Sequence, residues 1–95
     1  MVISFHELAE LELIGAAEYY EREQAGLGAA FADVQRCTDA IVEHPEAGAI
    51  IRGRVRRRLC RRFRDGVLYS TPQDSVRVLA VMNLRRRPAY WIDRS

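Results

Sequence analysis

"LGAAFADVQRCTDAIVEHPEAG", Leu27 to Gly48, is the stretch from which the fold can be read. Leu27, Ala30, Phe31, Val34, Cys37 and Ile41 recur three and four residues apart and so form one apolar stripe along a helix. The stripe stops at His44 because Pro45 holds the residue before it in extended geometry and cannot continue the helix. Working backwards, "QAGLG" (Gln24–Gly28) is a break: Gly26 can take the left-handed position that ends one helix, and Gly28 eases the start of the next. Upstream of it Ala9, Leu13, Ala16, Ala17 and Tyr20 repeat at helical spacing among Glu7, Glu10, Glu12, Glu18 and Glu21. Two helices with so short a joint form an antiparallel hairpin. "VISFH" (Val2–His6), which alternates apolar and polar residues, reads as a short strand ahead of them.

Beyond Gly48 the period changes from helical to two. In "RVRRRLCRRF" Val55, Leu59 and Phe63 fall on one face of a strand, with Arg54, Arg56, Arg58 and Arg62 on the other beside Cys60. "GVLYST" is a second strand of this region, "PQD" a turn, and "SVRVLAVMNL" a strand apolar on both faces and hence central. The expected order is strand, helix, helix, then three strands in an antiparallel meander. That is an α+β fold in one domain, residues 1–95, with the helical hairpin laid on a small twisted sheet.

Composition narrows the function. With 48% apolar residues, three prolines and six glycines the chain is a folded globule. Its longest apolar run, Val78–Met82, is far below the roughly 20 residues of a membrane span. "MVISFHELAE" has no signal-peptide character, so a cytoplasmic location without membrane attachment is expected. Cys37 and Cys60 make neither a disulfide framework nor a CxxC motif and read as buried thiols. The net charge of +2 hides a division: residues 1–50 carry ten carboxylates and two arginines, whereas residues 51–95 carry thirteen arginines and three aspartates. Such asymmetry points to a charged partner, either nucleic acid or protein.

The positive half is concentrated in Arg52–Arg64, where eight of thirteen residues are arginine. As a bare solvated face this run would also guard a sheet edge against unwanted pairing. Like charges stacked on one face repel, however, and an anionic partner relieves that repulsion, so a binding face is the preferred reading. RNA, DNA and a carboxylate-rich helix all remain open as its occupant. A second basic group, "LRRRPAYWIDR", sets Arg85, Arg86 and Arg87 beside Tyr90 and Trp91. Arginines among aromatic rings suit single-stranded nucleic acid; equally, Tyr90 and Trp91 could close the edge of the core.

Acid–base chemistry has few candidates. His6 ends a strand and His44 precedes a proline, while no Ser–His–Asp arrangement and no metal-ligand spacing stands out. No cofactor and no metal is expected. "GLG" lacks the lysine and the preceding strand of a phosphate loop, and Tyr19 and Tyr20 fit the core and its rim. A nuclease built from this chain would have to stabilise phosphate charge with guanidinium groups and move a proton with one side chain.

Five pieces in order, "AAEYYEREQAGLGAAF", "HPEAG", "VRRRLCRRF", "VLYS" and "VLAVMNLRRRPAYWIDR", resemble the RelE/ParE superfamily, the toxins of type II toxin–antitoxin modules. The likeness covers nearly the whole chain and implies a helical hairpin on a small antiparallel sheet. It also implies a cognate antitoxin whose C-terminal segment wraps the toxin, its acidic residues meeting arginines expected here to be Arg58, Arg61, Arg62, Arg85 and Arg86. RelE-like members cut mRNA on the ribosome, for which this chain would offer Arg61, Arg86 and Tyr90. ParE-like members poison DNA gyrase, with a target surface here at Arg87, Tyr90 and Trp91. Gly66 stands where nucleases of the family carry arginine, and Asn83 where many carry histidine, so the resemblance leans to ParE. Arg64 replaces the proline usual after "RF", which puts the local geometry there in doubt.

Overall fold

In the sheet, a change of chain direction accompanies every hydrogen-bonded neighbour but one. This computed structural model describes residues 2–23, 27–60, 65–83 and 91–94, without the side chains of 19–21, 23, 27–30, 65, 82 and 83. The strands are β1 (Val2–Phe5), β2 (Ala49–Arg52), β3 (Val55–Leu59), β4 (Asp65–Ser70) and β5 (Ser75–Asn83). They form one mixed sheet in the order β1-β5-β4-β3-β2. β1 runs parallel to β5, and each remaining pair is antiparallel. Helices α1 (Glu7–Glu23) and α2 (Leu27–Glu43) lie between β1 and β2 in the chain. The class is therefore α+β, with two helices and five strands.

The strand that was not expected is β2. "AIIR" is four residues long and shows no polar alternation, but Gly53, at φ +53°, allows a tight return that pairs Arg52 with Val55. At the other end of the hairpin region, His6 starts α1. Its Nδ1 accepts the Leu8 N–H at 3.1 Å, and its carbonyl accepts the N–H groups of Ala9 and Glu10. Glu7 and Glu10 in the first turn and Arg22 in the last complement the helix dipole, each contributing about 0.3–1 kcal/mol.

Both faces of the sheet are covered in part. On the helix side, Ala9, Val34, Cys37 and Ile41 pack with Cys60, Val67, Tyr69, Val76, Val78 and Val81. Burying a side chain such as Ile41 completely is worth about 1.5–3 kcal/mol. On the far side, Leu68, Ala80 and Trp91 form a smaller cluster with Val55 against it. A bulge in β5 makes this two-sided arrangement possible. Leu68 pairs with Ala80 and the next residue, Tyr69, with Val78, so Leu79 is inserted. Val78 and Val81 then both face the helices, three positions apart.

The same region solves an edge problem. β1 stops pairing with β5 at Phe5–Val78, and the His6 N–H still reaches the Val78 carbonyl at 2.9 Å. Beyond that point side chains replace the missing strand. The Val81 N–H donates to Glu12 Oε1 at 3.1 Å, while Arg94 Nη1 donates to the Leu79 carbonyl at 3.1 Å. Arg94 also forks onto both oxygens of Glu12, at 2.7 and 3.1 Å. One ion pair thus continues the ladder and joins α1, β5 and the end of the chain.

The register divides β3 into the two faces its alternation implies and shows which of them the helices cover. Arg56 pairs with Tyr69 and Arg58 with Val67, so these arginines share the face on which the helices lie. Val55, Arg57 and Leu59 take the other face, where Leu59 is 58% exposed. The arginine face is consequently half-buried rather than a freely solvated surface: Arg56 and Arg58 are half-buried, and Cys60 belongs to the helix-side core.

Candidate partner-binding face

The loop after α2, His44–Gly48, is where the arginine strand meets the hairpin. Tyr69 is fully buried, and its Oη donates to the Pro45 carbonyl at 2.8 Å and accepts the Gly48 N–H at 3.2 Å. Arg56 Nη1 donates to the carbonyls of Glu46 and Gly48, both at 2.8 Å. A side chain at position 48 would place its Cβ 2.5 Å from Tyr69 Oη and 3.0 Å from the Arg57 carbonyl, so this glycine is required by close approach. Arg56, one of the eight arginines of the run, therefore acts as a clamp on its own loop.

Arg58 lies over Cys37. The Cys37 Sγ donates to the Arg58 carbonyl at 3.8 Å. A hydrogen bond from Cys60 lowers the Cys37 pKa from its ordinary value, and the Arg58 charge adds to this, while burial and the Asp33 carboxylate oppose it. Asp33, itself buried, lies 3.6 Å from Arg36. The meeting of Cys37 with Cys60 was not visible in their spacing of 23 residues; the signal was present only as Cys37 in the α2 stripe and Cys60 on the arginine face.

On the far side a groove of about 690 Å³ runs between the β2–β3 turn and β5. Its walls include Arg54, Val55, Ser70, Arg77, Leu79 and Arg94. No acidic residue is among the described residues that line it. Arg77 Nη1 donates to Ser4 Oγ at 3.2 Å and Arg94 is held by Glu12, whereas the exposed Arg54 sits in the turn. The groove therefore combines apolar side chains with arginines in its lining, suited to an anionic ligand that also has apolar surface. Arg54 was read in the sequence only as part of the arginine strand face, and Arg77 was not singled out. Arg77 alternates with Val76 and Val78, and that alternation was the available sign that it faces away from the helices.

The remaining expected site residues divide as follows. Arg61, Arg62, Arg85, Arg86, Arg87 and Tyr90 lie outside the described residues. Trp91 is only 6% exposed and packs on Leu68, Ala80 and Val55, the position of a side chain that closes the far-side core. His6 is occupied as a helix cap, and His44 is exposed in the turn after α2. Gly66 pairs with Leu59 in the sheet, and Asn83 is the last residue of β5. Among the described residues no group of three or more His, Cys, Asp or Glu is placed to hold a metal ion, and no helix is long and apolar enough to cross a membrane. A scan against protein-family models finds no match to this chain, and a search of curated proteins finds none.

Proposed function

We propose that the chain is the toxin of a type II toxin–antitoxin module, with a RelE/ParE-like fold, and that it arrests growth by binding DNA gyrase as ParE-like toxins do. The observation that carries this reading is the agreement between the five family-like pieces and the elements. "AAEYYEREQAGLGAAF" spans the α1–α2 region, "HPEAG" the loop tied by Tyr69 and Arg56, and "VRRRL" the basic strand beside it. "VLYS" and "VLAVMN" then supply β4 and β5, antiparallel to one another. Gly66 in β4 brings no guanidinium to the sheet, which favours protein contact over RNA cleavage.

In this reading a cognate antitoxin brings carboxylates to the basic half of the molecule, at Arg58 with Arg61, Arg62, Arg85 and Arg86. Charge-assisted forks between arginine and carboxylate are short and directional, so they also fix the register of an extended partner. The target contact falls at Arg87 and Tyr90, next in the chain to Trp91, whose ring is buried on Leu68 and Ala80. Induction of the chain alone in a bacterial culture tests the proposal. Arrest with relaxed or cleaved plasmid DNA, relieved by the co-expressed antitoxin, is the expected result. Arrest with truncated mRNA and normally supercoiled plasmid would assign the chain to the endoribonuclease branch, with Arg61, Arg86 and Tyr90 to be substituted first. Unimpaired growth with the folded protein present would remove the toxin reading.

A further inference from the structure

Cys37 belongs to the buried stripe of α2, and Cys60 directly follows β3; they keep only 6% and 8% of their surface in contact with solvent. Two separate observations bring them together. The Cys37 thiol donates to the carbonyl of Arg58, which is two residues before Cys60 and on the same side of the strand. Both residues also belong to the same helix-side cluster. We propose that Cys37 and Cys60 form a redox-active dithiol, which hydrogen peroxide converts into an intramolecular disulfide joining α2 to the end of β3.

The roles of the two thiols differ. Cys60 donates a hydrogen bond to Cys37, and the Arg58 guanidinium lies nearby; both hold the Cys37 pKa below its ordinary value and so enrich its thiolate. Cys37 is therefore the attacking sulfur and Cys60 the resolving one. The thiolate attacks one peroxide oxygen, the O–O bond breaks, and hydroxide leaves, giving a sulfenic acid at Cys37. Cys60 then attacks that sulfur, the S–S bond forms, and the sulfenic oxygen departs as water with the Cys60 proton. Two electrons pass from the sulfurs to the peroxide, and with the hydroxide reprotonated the products are one disulfide and two waters. The bond closes a segment containing all of β2 and β3. It also fastens Cys60, the residue that follows β3.

The test uses the reduced full-length chain and hydrogen peroxide. After incubation at neutral pH the protein is denatured, its free thiols are counted, and its intact mass is measured before and after dithiothreitol. Both thiols should disappear together in a monomer that has lost two hydrogens, and dithiothreitol should restore them. Cys60→Ala, shown to be folded by circular dichroism, should leave Cys37 as a sulfenic acid that dimedone captures. Survival of both thiols under peroxide that fully oxidises free cysteine would overturn the proposal. So would sulfinic acid without a disulfide, or disulfides found only between molecules.

Discussion

Replacing Glu12 by alanine should destabilise the fold far more than loss of a surface ion pair. Glu12 and Arg94 are 11% and 9% exposed, so both charges have left most of their water. Removing one partner of such a pair leaves the other desolvated and uncompensated, a loss of about 3–5 kcal/mol. In a domain of this size each kilocalorie lowers the Tm by several degrees, so Glu12→Ala should fall by roughly 15–25 °C. Glu12→Gln should lose less, about 1.5–3 kcal/mol, because its amide oxygen can still accept the Val81 N–H. The double variant Glu12→Leu, Arg94→Leu separates an ion pair from a substitute strand. If the pair only neutralised itself, an apolar replacement would be nearly neutral. Here the Val81 N–H and the Leu79 carbonyl would lose their partners, and each orphaned group should still subtract about 1–3 kcal/mol. Urea unfolding of the four proteins supplies the numbers. A loss below about 1 kcal/mol for Glu12→Ala, the range of exposed pairs, would refute the edge-substitution account.

Other outcomes follow from the same contacts. Tyr69→Phe should lose about 1–3 kcal/mol by orphaning the Gly48 N–H and the Pro45 carbonyl, and Gly48→Ala should be destabilised by its approach to Tyr69 Oη. In chemical denaturation the two changes should be less harmful together than their sum, since Tyr69→Phe removes the nearest atom; strict additivity would contradict the contact. Cys37 titrates below its ordinary value in the folded chain, so between the two values the unfolded chain binds more protons and stability rises with pH. Under reducing conditions the stability difference between the native chain and Cys37→Ser should grow as pH rises through that window and level off above it; a difference that shrinks would reverse the assignment. For the antitoxin contact, Arg58→Glu should weaken the toxin–antitoxin complex at least tenfold in calorimetry, and an unchanged affinity would move the contact elsewhere.

The helices were legible because their apolar stripes are long and end at Gly26 and Pro45, both strong punctuation. β5 was legible because it is apolar on both faces, as a strand flanked on both sides must be. β2 was not, since four residues carry no period and its pairing depends on one glycine turn. The arginine strand was legible in its two faces but not in which of them lies against the helices, for a related reason. Alternation identifies two faces but not which of them the helices cover, and the choice depends on Cys60 and on register with Val67 and Tyr69. Trp91 was left between core and surface because its partners, Leu68 and Ala80, belong to strands distant in sequence. The Glu12–Arg94 pair, 82 residues apart, had no local signal at all.

The most direct measurement of the functional claim is supercoiling of relaxed plasmid by purified gyrase, with the folded chain added alone and then with its antitoxin. The account predicts inhibition that rises with toxin concentration and disappears when the antitoxin is present in equal amount. Undiminished supercoiling at a large molar excess of the folded chain would contradict it.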